Sequence, residues 1–148
     1  EFAQIMGHEI SHALANHTAE RMSRALAINL GVVAAGVSSD HPGVTMTGAA
    51  LAAKFALELP NSRTAEAEAD RLGIELATRA GYAPDAAVSL WQKMGSLSDS
   101  RPPEFMSTHP APENRQRALA ELGAEMQALN PGGRMAAVHP VEIVREAP

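Results

Sequence analysis

The sequence predicts a mostly helical domain, and three observations carry that expectation. Aromatic residues make up only 3% of the chain although apolar residues make up 45%. The apolar content is therefore Ala, Leu, Val, Ile and Met, with alanine and leucine favouring helix and the strand-loving aromatics nearly absent. Apolar side chains also recur at helical spacing in several segments, and clusters of Pro and Gly mark where those segments stop. The 148 residues suit one domain, 1–148, and are too few for two of ordinary size.

Taken in order, the first element is a helix from Phe2 to about Arg24, because no Gly or Pro interrupts it after Gly7. Phe2, Met6, Ile10, Ala13 and Leu14 line one side of it, and Ile5, Ala15 and Ala19 cluster on the other. A helix apolar on both sides is expected to be buried. Ala25 to Ala53 is almost uncharged and is broken at Ser38-Ser39-Asp40-His41-Pro42-Gly43, which predicts a hydrophobic helical hairpin over about 25–57. Each arm is about a dozen residues, short of the ~20 a membrane-spanning helix needs. A buried hairpin is the simpler expectation; a hairpin that touches a membrane or covers a neighbouring site is the sharper one.

Pro60-Asn61-Ser62 punctuates the chain and can cap a helix over about 63–80, with Gly81 as its stop. Pro84-Asp85 starts another helix that reaches about Leu97. Ser98 to Pro112 reads as a loop, marked by Pro102-Pro103 and His109-Pro110-Ala111-Pro112. It leads into a last amphipathic helix over about 113–129, with Leu119, Leu122 and Met126 on one side. The tail, 130–148, has room for one short strand.

Charge and cysteine content narrow the chemistry. The formal net charge is −5 with no basic block, so nucleic-acid binding is not expected. There are no cysteines, which removes disulfides, thiolate metal sites and cysteine nucleophiles together. The chain starts at Glu1 without a methionine or signal peptide, and a mature or excised piece of a longer protein is expected.

The central signal is His8-Glu9-Ile10-Ser11-His12. Residues four apart on a helix sit one turn above each other, so the imidazoles of His8 and His12 can grip one metal ion from the same face. Glu9 lies about 60° round the helix from His12, beside the ion, where a base for its water belongs. Random placement of the same residues gives this pentapeptide in roughly one such chain in fifty, so the motif needs support.

A catalytic zinc takes three protein ligands and keeps one position for water. A third histidine shortly after the motif, at a fixed spacing with an intervening Gly, does not fit here. His17 is one residue short, and Ala15 stands where the Gly should be. The remaining solution is a carboxylate on a later helix. In the segment from Ser62 to Gly73, Glu66, Asp70, Gly73 and Ala77 share a face bordered by Ala69 and Ala80. The opposite face carries Glu68, Arg71, Glu75 and Arg79, with charge pairs at helical spacing. Gly and Ala allow close approach to another helix, so Glu66 is the inward carboxylate and the candidate ligand. Asp70, one turn on, can accept a hydrogen bond from the other nitrogen of a ligand histidine. His17 is expected to be a packed core histidine, and His41 and His139 to be solvated.

Three motifs together resemble a known family. Gly-His-Glu-Ile-Ser-His (Gly7 to His12), Ser-Arg-x-x-Glu-x-x-Ala-Asp (Ser62 to Asp70) and Ser-Thr-His-Pro-x-Pro-Glu-x-Arg (Ser107 to Arg115) look like family forty-eight of the zinc metallopeptidases. This is the gluzincin group of the HtpX, CAAX prenyl and BepA proteases. The resemblance covers Phe2 to about Leu129 and is strongest to the soluble bacterial envelope branch. It implies a gluzincin-type catalytic domain with a helical core, one Zn2+ per chain held by His8, His12 and Glu66, and Glu9 as general base.

It also brings His109 forward, either as donor to the oxyanion of the tetrahedral intermediate or as a fourth zinc ligand, with Arg115 holding its loop through a carboxylate, Asp70 first. Family members carry a helix and a small sheet before the first motif, and an edge strand of that sheet aligns the substrate by strand addition. Only seven residues precede His8 here, so that N-terminal sheet part is expected to be missing. The implied function is zinc-dependent endopeptidase action on unfolded or misassembled polypeptides in protein quality control. The implied location is the bacterial periplasm or membrane-associated envelope, with peripheral membrane contact and self-association through exposed apolar surface as further expectations. The competing reading is a zinc-bearing scaffold or chaperone-like binding module without turnover.

Overall fold

In a computed structural model, residues 1–96, 109, 115–131 and 137 are described. They form six α-helices: α1 (Phe2–Leu14), α2 (His17–Val37), α3 (Pro42–Ala53), α4 (Leu59–Arg79), α5 (Ala86–Ser96) and α6 (Arg115–Met126). A π-helical turn, Lys54–Glu58, joins α3 to α4, and a short 3-10 turn, Gln127–Leu129, follows α6. No strand occurs among the described residues, so the mainly helical expectation holds. The strand considered for the tail, and most of the loop from Ser98 to Pro112, lie outside the described residues.

The site depends on one helix crossing. α1 packs on α4 where two glycines meet: a Cβ built on Gly7 would stand 2.6 Å from the Gly73 carbonyl oxygen, and one on Gly73 2.7 Å from the His8 nitrogen. Only glycine at both positions lets the backbones approach this closely. The buried face of α4 is Glu66, Ala69, Asp70, Gly73, Ile74, Ala77 and Thr78, which contains the Gly/Ala face read from the sequence. Beside the crossing, Ile74, Ala87, Trp91, Met94, Leu119 and Met126 form the apolar core, with Val88, Leu90, Leu122 and Leu129 packed against it. α4 ends as expected: Gly81 takes φ 91°, a left-handed conformation that glycine adopts without the Cβ penalty.

Expectations for three elements are corrected. The helix expected over about 2–24 is two helices, because Asn16 adopts a left-handed conformation at φ 57° and turns the chain between α1 and α2. Asparagine tolerates that region better than most residues, since its short amide can bond locally. Burial on both sides of α1 is also not found. α1 buries Gln4, Gly7, His8 and Ser11, while Phe2, Met6, Ile10 and Leu14 are exposed.

The hairpin is likewise not buried. α3 contributes no buried residue and α2 only His17 and Gly36; the arms pack on each other where Met46 lies against Gly36. An uncharged composition records a preference for leaving water and does not name the partner that provides the cover.

The third correction concerns Pro60, which does not start a separate helix: the chain is helical without a gap from Pro42 to Arg79. The π-helical turn absorbs the residue that cannot donate, with the Leu59 nitrogen bonding back to the Lys54 oxygen. Asn61 Nδ2 also donates to the Leu57 carbonyl at 2.7 Å.

Candidate metal centre and cleft

α1 and α4 bring His8, His12 and Glu66 together at their crossing. His8 Nε2 and His12 Nε2 lie 3.0 Å apart. Glu66 Oε2 is 3.3 Å from His8 Nε2, and its Oε1 is 3.4 Å from His12 Nε2. His109 completes the group, with Nδ1 3.4 Å from His8 Nε2 and 3.1 Å from Glu66 Oε1. All four ligand atoms fall within 4.8 Å of one another.

These separations can be compared with what zinc requires. Bonds of about 2.05 Å to four tetrahedral donors put the donors about 3.3 Å apart, and the measured spacings bracket that value. Two imidazoles and a carboxylate without thiolate also suit zinc chemically. The residues present therefore fit the ion.

The other nitrogens of the two α1 histidines meet different partners. His8 Nδ1 lies 3.0 Å from Asp70 Oδ1, and Arg115 Nη2 donates to the same oxygen at 2.6 Å. Arg115 is 4% exposed; its guanidinium carbon sits 3.7 Å from the centre of the Trp91 ring, and its Nη1 is 3.5 Å from Glu66 Oε2. A buried guanidinium needs such company, since two carboxylates and an aromatic face replace the water it has lost. The expected contact between Arg115 and Asp70 is thus present in the structure. The loop segment that Arg115 was expected to hold, apart from His109 itself, lies outside the described residues.

Charge in the site is closely coupled. Burial opposes the imidazolium of His8, but hydrogen bonds with Asp70 and Glu66 outweigh it and raise its pKa from 6.5 to about 8. His12 moves the other way, because burial and then the nearby His8 charge disfavour its protonated form. For Glu66, burial pushes the carboxyl up, yet hydrogen bonding with His8 and the charges of His109 and His8 leave it below the ordinary carboxylate value.

Glu9 is exposed beside these groups, 3.3 Å from His109 Nε2. It borders a cleft of about 720 Å³ that runs from His12, Glu66 and His109 between the start of α2 and the joint of α3 with α4. Met22, Ala25, Leu59 and Ala65 give this cleft an apolar lining, and Arg21, Glu20 and Glu58 give it charge.

His17 is buried as expected, but it lies outside the apolar core, beside His12, the two Nδ1 atoms 2.8 Å apart, and its Nε2 is 3.3 Å from Glu68 Oε2. The reading failed because it continued one helix through Asn16. An asparagine directly before a histidine at a helix start was the signal available.

Comparison with known proteins agrees with the geometry. The model of the peptidase family M48 matches residues 1–123. The chain is 37% identical over 131 residues to the mitochondrial metalloendopeptidase OMA1 of Arabidopsis thaliana, covering 87% of this chain and 26% of that protein. It is 34% identical over 127 residues to the OMA1 protein of Schizosaccharomyces pombe, covering 84% and 37%. It is 32% identical over 138 residues to the β-barrel assembly-enhancing protease of Escherichia coli, covering 87% and 28%. The chain thus spans about a quarter to a third of the length of these relatives. No solved structure matches it. With motifs, crossing helices and family model in agreement over the same residues, the chain belongs to peptidase family M48.

Proposed function

We propose that the chain hydrolyses peptide bonds of unfolded or misassembled polypeptides, using one zinc ion held by His8, His12 and Glu66. One observation carries this reading: donor atoms from α1 and α4 stand 3.0–3.4 Å apart, beside a cleft of about 720 Å³. Zinc held there would supply a Lewis acid that polarises a carbonyl and lowers the pKa of water towards neutrality.

The remaining work falls to the protein's own groups. Glu9, on the cleft wall, takes the proton of the attacking water and returns it to the leaving amine. Asp70 holds the His8 ring through Nδ1, so that Nε2 faces the ion. His109, with Nδ1 3.1 Å from Glu66 Oε1, would serve either as a fourth ligand or as a hydrogen-bond donor to the oxyanion.

Glu9→Gln is expected to keep a full zinc load by elemental analysis while casein cleavage drops by at least about a hundredfold. A Gln variant that cuts at the wild-type rate contradicts the mechanism.

The name of the Escherichia coli relative supports a role in protein quality control at a bacterial envelope, and the OMA1 names point to a mitochondrial setting for those proteins. Among the described residues no helix is long and apolar enough to cross a membrane. The apolar side chains that α2 exposes, Leu26, Leu30, Val33 and Val37, support peripheral contact with a membrane or a second copy of the chain. They also favour the second reading, a zinc-bearing scaffold that binds clients without turnover. Incubation of zinc-loaded protein with an unfolded substrate, followed by mass spectrometry, separates the two: fragments indicate the peptidase, and an intact bound client the scaffold.

A further inference from the structure

We infer that His17 is a positioning residue for the second zinc ligand, fixing the tautomer and orientation of His12 through a neutral hydrogen-bond chain that ends on Glu68. This rests on the zinc site proposed above and adds to it a residue that neither the H-E-x-x-H motif nor the carboxylate helix supplies.

His12 Nε2 faces His8 Nε2 at 3.0 Å and Glu66 Oε1 at 3.4 Å. To bind a metal through that nitrogen, a neutral imidazole must carry its proton on Nδ1. The neighbour of His12 Nδ1 is His17 Nδ1, at 2.8 Å. Two imidazole nitrogens at this distance form a hydrogen bond only if one of them is unprotonated, so His17 Nδ1 must be the acceptor. The proton of His17 is then on Nε2, which meets Glu68 Oε2 at 3.3 Å, a group that can only accept at neutral pH. One arrangement satisfies every atom: His12 Nδ1–H donates to His17, and His17 Nε2–H donates to Glu68.

The rigidity of this support comes from the bend that precedes it. Asn16 at φ 57° starts α2 immediately after α1 ends, and His17 is the first residue of α2. Its ring is 8% exposed and packs edge-on against His12, with centroids 4.9 Å apart. A continuous helix would carry position 17 away from position 12, since five residues turn the chain by about 500°. The left-handed residue restores the contact.

The two ligands are thus held differently. His8 meets a buried carboxylate shared with Arg115, whereas His12 meets a neutral ring backed by a carboxylate whose side chain is 55% exposed. The Glu68 end should matter less, because water can replace it.

The test measures zinc affinity by chelator competition at fixed pH in the full chain, together with imidazole 15N shifts of the zinc-loaded wild type. His17→Leu is expected to weaken zinc binding about tenfold to a hundredfold. His17→Asn, whose Oδ1 takes the place of the Nδ1 acceptor, should recover most of that loss, and Glu68→Ala should lose less than His17→Leu. The 15N shifts should show His12 protonated on Nδ1 and metallated on Nε2. That readout needs no substitution, so a poorly folded Leu variant would not obscure it.

Equal affinity of wild type and His17→Leu overturns the inference, and so does a His12 ring that binds zinc through Nδ1; in both cases the zinc site stands. A wild-type chain that takes no zinc overturns the proposed function, and the role of His17 with it.

Discussion

Where α1 crosses α4, polar side chains are buried among small apolar ones; in the α2–α3 hairpin almost nothing is buried at all. At the crossing, Gln4, His8, Ser11, Glu66 and Asp70 are each less than 9% exposed, beside the buried Ala69, Ile74 and Ala77. In the hairpin, Met22, Leu26, Leu30, Val33 and Val37 project outward from α2, and Val44 and Leu51 from α3. Hydropathy alone would assign the two regions the other way round. Apolar content determines how much a surface gains by leaving water, but small residues and paired charges determine which surfaces can meet at backbone distance. The candidate metal ligands lie in the region where packing is closest and least adaptable, and the cleft opens between the two.

Substitutions can break that contrast, and the largest effect is expected at Asp70. Asp70→Ala strips Arg115 of its strongest partner and removes the carboxylate that His8 Nδ1 meets at 3.0 Å. A buried charge without its mate costs about 3–5 kcal/mol, to be read in chemical denaturation, and zinc affinity should fall with it. The glycine crossing comes next. Gly73→Ala sets a methyl against the His8 backbone nitrogen at 2.7 Å, and such overpacking costs about 1–3 kcal/mol or more. A variant as stable as wild type would mean that the helices can move apart freely.

The charge of His8 sharpens the contrast through pH. In chelator-treated protein the folded pKa, about 8, lies above the unfolded value near 6.5. A raised pKa contributes stability that is fully present below about 6.5 and lost as pH rises through about 8. The difference is about 2 kcal/mol, visible as a falling Tm between these limits. Zinc-loaded protein should show the reverse trend, gaining stability with rising pH, because the ligands must be deprotonated. The smallest effect has the opposite sign: Gly31→Ala or Gly48→Ala in the hairpin, where an added Cβ meets nothing within 4 Å, should stabilise by about 0.5–1 kcal/mol through helix propensity.

Much of this site was legible in the sequence because it follows from single-helix periodicity. His8 and His12 share a face by spacing alone, and the Gly/Ala stripe containing Gly73 and Ala77 marked which side of α4 meets a neighbour, and hence which carboxylate points inward. The stop at Gly81 and the core positions Leu119 and Met126 follow from the same local rules. What failed was whatever depended on a bend or on a partner. Asn16 breaks a periodic pattern with one dihedral, and no periodicity reports that. Pro60 looked like a boundary because its missing donor usually ends a helix, yet the chain passes through it by way of a π-helical turn. The exposure of Phe2, Ile10 and Leu14 was illegible for a different reason. An apolar stripe reveals a preference, and only the assembled neighbours decide whether it is covered.

Anomalous diffraction at the zinc edge decides whether side chains from α1 and α4 converge on one divalent ion. One peak per chain is expected, about 2.0–2.2 Å from His8 Nε2, His12 Nε2 and a Glu66 oxygen. A peak elsewhere, or a Glu66 carboxylate turned away from the zinc, would contradict that convergence.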